Sequence, residues 1–104
     1  MAVTMINVFS VPKVTEEKFV TWWKEAEIDI TRQPGFISGK FHKSLRPDSQ
    51  YNFIHVELWE NEDAYWKAYE ESMSSMKKSF HPIGVKMTPA LYQGILEHVA
   101  IETP

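Results

Sequence analysis

Cysteine is absent from the 104 residues, which excludes disulfides, thiolate metal sites, iron–sulfur clusters and thiol nucleophiles. Folding must therefore rest on packing. Glycine is scarce, with 4 residues and no nucleotide-binding motif among them. Neither sign of charge dominates. The 11 Lys plus Arg against 14 Asp plus Glu leave a formal charge of −3, no electrostatic footprint for nucleic acid or an anionic lipid surface. No apolar run approaches the ~20 residues of a membrane span. The stretch Met1–Val8 lacks the basic region and continuous apolar core of a signal peptide, so a cytoplasmic protein is expected. What is abundant is aromatic weight: four Trp, four Tyr and six Phe. A single domain over residues 1–104 is expected. A chain of this length buries roughly two-thirds of its unfolded surface, enough for a core but not for a large internal cavity.

Hydrophobic periodicity organises the chain. Residues 3 to 11 alternate, with Thr4, Ile6, Val8 and Ser10 on one face and Met5, Asn7, Phe9 and Val11 on the other, and read as a strand. Pro12 stops it. Thr15 is placed as an N-cap, Glu16 and Glu17 favour the first turn, and Val14 is spaced to staple against Phe19. A helix is predicted over about 15–32, with Phe19, Trp22 or Trp23, Ala26 and Ile30 at helical spacing, ending at Gln33-Pro34-Gly35. Phe36–Leu45 and Tyr51–Glu60 read as strands joined by the polar turn Arg46–Gln50. Asn61 caps a second predicted helix to about residue 79, carrying Tyr65, Trp66, Tyr69, Met73, Met76 and Phe80, and His81-Pro82-Ile83-Gly84 breaks it. A connector containing Pro89 leads to a last predicted strand, Ala90–Val99.

The order β-α-β-β-α-β is the ferredoxin-like α+β plan, a four-stranded antiparallel sheet with two helices on one face. The other face then needs a cover. In the third strand Ile54, Val56 and Leu58 form an aliphatic face, assigned to a dimer interface, whereas Tyr51, Phe53, His55, Glu57 and Trp59 face the helices. If the aliphatic faces of the two hairpin strands coincide, paired residue numbers have an odd sum. Lys40 would then oppose Glu57 as a cross-strand charge pair, and His42 and His55 would share one face about one pair step apart.

Ile6-Asn7-Val8-Phe9, Gln33-Pro34-Gly35-Phe36, His42 and Leu45, and Trp59-Glu60 occur as an ordered set that resembles the antibiotic biosynthesis monooxygenase family over about residues 5–96. The resemblance implies a dimeric α+β barrel, a homodimer packed through its sheet faces, with a ligand cleft in each subunit between sheet and helices. It also implies cofactor-independent oxygenation of anthrone-type molecules. In that subfamily an Asn, a Trp four residues on and a Tyr six further line the pocket. Trp59 and Tyr65 match the last two, and His55 stands in place of the Asn. An Arg of that pocket has no match, Lys77 or Lys78 being the nearest cation. A second branch degrades haem using a strand-one Asn, matched by Asn7, and a Trp and a His on helix two. Ala68 and Lys78 fall at those last two places, which disfavours haem degradation.

The residue types fit chemistry in which a substrate supplies its own electrons to oxygen. The protein would remove a proton, stabilise the anion and exclude water. The expected reaction is monooxygenation of an aromatic, anthrone- or quinol-like molecule by O2 with no bound cofactor. His55 is the candidate base, with Asn7, Trp59 and Tyr65 beside it as catalytic residues. Phe9, His42, Phe53 and Lys78 are candidate substrate-binding residues, and His42 could tune His55. Two imidazoles without a third ligand make a poor metal site, so no metal is expected. The alternative is a non-catalytic barrel binding a small hydrophobic molecule, in which Trp59, Tyr65 and the other aromatics are core.

Overall fold

A computed structural model describes residues 1–76 and 84–102 of the chain, in the order β1 (Val3–Ser10), α1 (Glu16–Thr31), β2 (Phe36–Lys43), β3 (Phe53–Trp59), α2 (Glu62–Met76) and β4 (Lys86–Tyr92). Lys77, Lys78, Phe80 and His81 lie outside the described residues, as do the side chains of Met73 and Met76. The strands form one antiparallel sheet in the order β2-β3-β1-β4, the ferredoxin-like arrangement.

Burial alternates along both central strands. Val3, Met5, Asn7 and Phe9 of β1 and Phe53, His55, Glu57 and Trp59 of β3 are buried on the helix side. Ile6, Val8, Ile54, Val56 and Leu58 stay half-buried on the other side. That is the period of two expected of strands with one covered face. In α1 the positions reaching the sheet are Phe19 and Trp23, four residues apart and therefore on one stripe. Asn61 caps α2 as its position predicts, its Oδ1 accepting from the Ala64 N–H at 2.8 Å. Thr15 does not cap α1. Its hydroxyl donates instead to the Pro12 carbonyl at 3.0 Å, and Val14 is 91% exposed, so the staple with Phe19 does not form. Trp66 and Tyr69, on the stripe of α2, stay substantially exposed.

Asn52 ties the far end of the hairpin to the start of α1. Its Oδ1 accepts from Val11 N–H at 2.8 Å, and its Nδ2 donates to Val11 O at 2.7 Å and to Glu16 Oε1 at 2.9 Å. Gly35 closes the turn after α1 with φ +88°, and a Cβ there would stand 2.5 Å from Cβ of Ala64. Both the backbone conformation and the space demand glycine. Gly35→Ala is expected to lose about 2–4 kcal/mol, read as a lower urea midpoint at unchanged slope. Gly94→Ala, where nothing lies within 4 Å, should leave the midpoint in place.

Two expectations about the sheet need correction. The β2–β3 register runs Gly39↔Glu57, Phe41↔His55 and His42↔Ile54, with a bulge between Phe36 and Ser38. The sum is therefore even, and His42 and His55 lie on opposite faces. The physical reason is aromatic burial. Phe36 and Phe41, five apart, would face opposite ways in a regular strand, and the extra residue lets both turn toward the helices. Lys40 opposes Val56 and makes no cross-strand pair with Glu57. The last strand is also displaced. It spans Lys86–Tyr92 and contains Pro89, which an edge strand tolerates because it pairs on one side only. Beyond it Ile95, Leu96 and Val99 are 82–85% exposed and belong to no strand.

Candidate active site

The helix side of the sheet holds two apolar clusters. One comprises Phe9, Val11, Phe19, Trp23 and Phe53, with Phe41 packed against it. The other comprises Val3, Met5, Trp59, Tyr65 and Ala68, with Phe36, Ala64 and Leu91 around it. Between them lie Asn7, His55 and Glu57, the buried polar side chains of the described core, at 6%, 2% and 4% exposure. The register explains the grouping. Asn7 opposes His55 across β1 and β3, and Glu57 follows two residues along β3 on the same face. Gly39 opposes Glu57 from β2 and adds no side chain there.

Sequence alternation thus installs a polar seam across an aromatic floor. Its hydrogen bonding is incomplete. Trp59 Nε1 donates to Glu57 Oε1 at 3.4 Å, and His55 Nε2 stands 3.7 Å from Glu57 Oε2. Asn7 Nδ2 donates to the sulfur of Met87 at 3.8 Å. Asn7 Oδ1, His55 Nδ1, Glu57 Oε2 and Trp23 Nε1 have no hydrogen-bond partner among the described residues. Buried polar atoms are ordinarily paired, and unpaired ones cost about 1–3 kcal/mol each. The four, on Asn7, Trp23, His55 and Glu57, leave this part of the core with unused capacity to hydrogen-bond polar groups from elsewhere.

Burial sets the charge state. Desolvation, with a smaller contribution from the charge of His42, lowers the His55 pKa to about 4, so the imidazole is neutral at neutral pH and weakly basic. Desolvation raises Glu57 to about 7, aided by the charge of Glu27 and opposed by the Trp59 hydrogen bond. The Tyr65 hydroxyl is pushed up to about 12 by burial and by the neighbouring Glu57 and Tyr69, so it remains a donor. The rings of Trp23 and Phe41 meet the imidazole edge-on at 4.9 and 5.4 Å, and Trp59 meets Tyr65 at 5.9 Å.

Asn7, His55, Trp59 and Tyr65 are thus gathered around one seam. Phe9 and Phe53 sit in the adjoining aromatic cluster, each 1% exposed. His42 is exposed on the opposite face and cannot share a ligand or a metal with His55. Lys78 lies outside the described residues. Among those residues no group of three or more His, Cys, Asp or Glu side chains converges. Sequence reasoning did not assign Glu57 or Trp23 to the site. The signal for Glu57 was present, a carboxyl on the aromatic face of a central strand, but the odd-sum register paired it with Lys40.

The sequence pattern of the antibiotic biosynthesis monooxygenase family matches residues 2–78, and the chain belongs to this family. No curated protein matches it. Among solved structures, a protein of Shewanella loihica PV-4 provisionally described as a monooxygenase is 28% identical with a TM-score of 0.81, the match covering 92% of this chain and 96% of that one. SnoaB, a cofactor-independent oxygenase from Streptomyces nogalater, is 17% identical with a TM-score of 0.70, covering 92% and 95%. MhuD, a haem degrader from Mycobacterium tuberculosis solved with two haems in its active site, is 16% identical with a TM-score of 0.68, covering 93% and 99%. The last two share the fold.

Proposed function

We propose that the protein is a homodimeric monooxygenase that oxidises an aromatic, anthrone- or quinol-like molecule with O2 and without a bound cofactor. The observation that carries this reading is the buried seam of Asn7, His55 and Glu57, whose unpaired polar atoms lie between two aromatic clusters. Membership in a monooxygenase family supports the reaction class.

For a methylene flanked by aromatic rings, the conversion is CH2 plus O2 to C=O plus H2O. The carbon gives up four electrons and dioxygen takes them, so the balance needs no external reductant. One oxygen atom ends in the carbonyl and the other in water. The protein's part is to hold the substrate flat against Trp59 and Tyr65, with Phe9 and Phe53 behind, and to present Asn7 and His55 to its oxygen atoms. Haem degradation is disfavoured: at the place where the resemblance puts that branch's Trp, this chain has Ala68, 4% exposed and packed in the Trp59–Tyr65 cluster.

Association is supported by the uncovered sheet face and by the C-terminal stretch. Ile95, Leu96, Val99 and Ile101 are 82–91% exposed, and the radius of gyration, 15.3 Å, exceeds the ~13 Å usual for this length. Sedimentation should give twice the 12.2 kDa chain mass.

Oxygen uptake over a panel of anthrones and hydroquinones tests the activity. The expected result is consumption by the wild type that falls about 100-fold in His55→Ala. Uptake no greater than that variant's would remove the oxygenase reading. Tight binding of panel members without uptake would favour the non-catalytic, ligand-binding barrel.

A further inference from the structure

We propose that Glu57 is the proton acceptor of this site, its free oxygen Oε2 taking a proton from a carbon acid laid across the seam. The inference rests on the oxygenase reading for its substrate class. It goes beyond that reading in assigning the base to a residue to which the family resemblance gave no role and the strand pattern only a structural one.

The geometry singles out Glu57. It is 4% exposed, and its two carboxyl oxygens have different surroundings: Oε1 accepts from Trp59 Nε1 at 3.4 Å, while Oε2 has no hydrogen-bond partner among the described residues. One oxygen is thus oriented by the indole, and the other is left for a reacting proton. His55 Nε2 stands 3.7 Å from Oε2. Over Gly39 opposite lies the ring of Phe36, so that flank of Glu57 is apolar and offers the carboxyl no polar partner. A carboxyl buried among aromatic rings, with no Lys or Arg paired to it among the described residues, is a costly element in a core of this size, and a purely structural role would be served as well by Gln.

The charged or titratable groups near it are His55 on its own strand, Glu27 from α1 and Tyr65 from α2, while Met5 and Gly39, opposite it on β1 and β2, are uncharged. Glu27 and burial both oppose ionisation, so the carboxylate that forms near neutrality is poorly solvated and correspondingly basic. The imidazole beside it is the weaker base of the two, its pKa lowered to about 4.

The steps balance. A substrate C–H bond breaks, its proton goes to Glu57 Oε2 and its electron pair stays on carbon. The carbanion adds O2 through successive one-electron transfer and recombination, and the resulting peroxide anion takes the proton back from Glu57. The carboxylate then removes the second proton from the same carbon as the O–O bond breaks. The carbonyl forms, and the departing hydroxide leaves as water with that proton.

Anaerobic exchange isolates the first step. Anthrone bearing a deuterated methylene is incubated without oxygen with wild type, Glu57→Gln and Glu57→Asp, and loss of the label is followed by NMR beside oxygen uptake in air. The expected result is wild-type wash-out above the buffer rate, falling at least 100-fold in Glu57→Gln and partly retained in Glu57→Asp. The wild-type rate should rise with pH along a limb centred near 7 that is missing in Glu57→Gln. Wild-type uptake and wash-out that persist in Glu57→Gln with the limb intact would overturn the assignment and leave the oxygenase reading standing. A wild type that neither consumes oxygen nor washes out label would overturn both. Unchanged near-UV circular dichroism of Glu57→Gln excludes misfolding as the cause of a loss.

Discussion

Truncation of Phe9 to alanine is expected to cost about 3–5 kcal/mol, close to the whole stability of a domain this small. The residue is 1% exposed, and its ring lies 5.2 Å from Phe19, 5.7 Å from Trp23 and 5.8 Å from Phe41. It also opposes Phe53 across the sheet. Removing it leaves a cavity walled by rings that belong to three other elements, so collapse around the gap would require β2, β3 and α1 to move together. Phe9→Leu should recover about half the loss. The measurement is the urea midpoint, with Leu45→Ala as control: Leu45 is fully exposed, and its truncation should stay within about 0.5 kcal/mol of wild type.

The second large effect is in the pH dependence of stability, where His55 and Glu57 act in opposite directions. The folded-state pKa of His55 lies below its unfolded value, about 4 against 6.5. Its contribution is therefore complete above pH 6.5 and is lost as pH falls toward 4, because the unfolded chain binds the proton more readily. The folded-state pKa of Glu57 lies above its unfolded value, about 7 against 4.5. The folded protein holds that proton more tightly, so stability is highest below pH 4.5 and declines as pH rises toward 7. Each window is worth on the order of 3 kcal/mol, and in the wild type the two slopes largely cancel. Glu57→Gln should match the wild type near pH 4 and melt several degrees higher at pH 8. His55→Asn should do the reverse, losing its acid sensitivity and becoming less stable as pH rises from 4.5 to 7. The measurement is the melting temperature of each variant relative to wild type from pH 4 to 8. Parallel curves for all three would show that neither group is shifted by burial.

Element order was legible because burial imposes a period on the sequence. The alternation of β1 and the Phe19–Trp23 stripe of α1 follow directly from apolar spacing, and the Asn61 cap follows from side-chain chemistry. The convergence of Asn7, His55, Trp59 and Tyr65 was legible for the same reason, since each lies on the inward phase of its own element. What failed was phase within β2. A bulge is one residue of slack, and its one signal in Phe36-Ile37-Ser38-Gly39 is a glycine inside the strand, yet it decides whether His42 or Phe41 lies beside His55. The same error concealed Glu57, because a register that supplied it with Lys40 made it an ordinary cross-strand charge pair. Pro89 misplaced β4 because a prohibition that holds inside a sheet was applied at its margin.

That margin has a further consequence for how copies of the chain can meet. The sheet ends at β2 on one side and β4 on the other. One edge carries the bulge and exposed Lys40 and Lys43, and the other carries Pro89 and exposed Lys86. Interrupted spacing on one edge, a missing N–H on the other and lysines on both make them poor templates for an incoming strand. Sheet growth by end-on addition, the route to fibrils, is obstructed at each side, so a chain with an unusually sticky aromatic composition can stay in solution while its flat face remains open to contact.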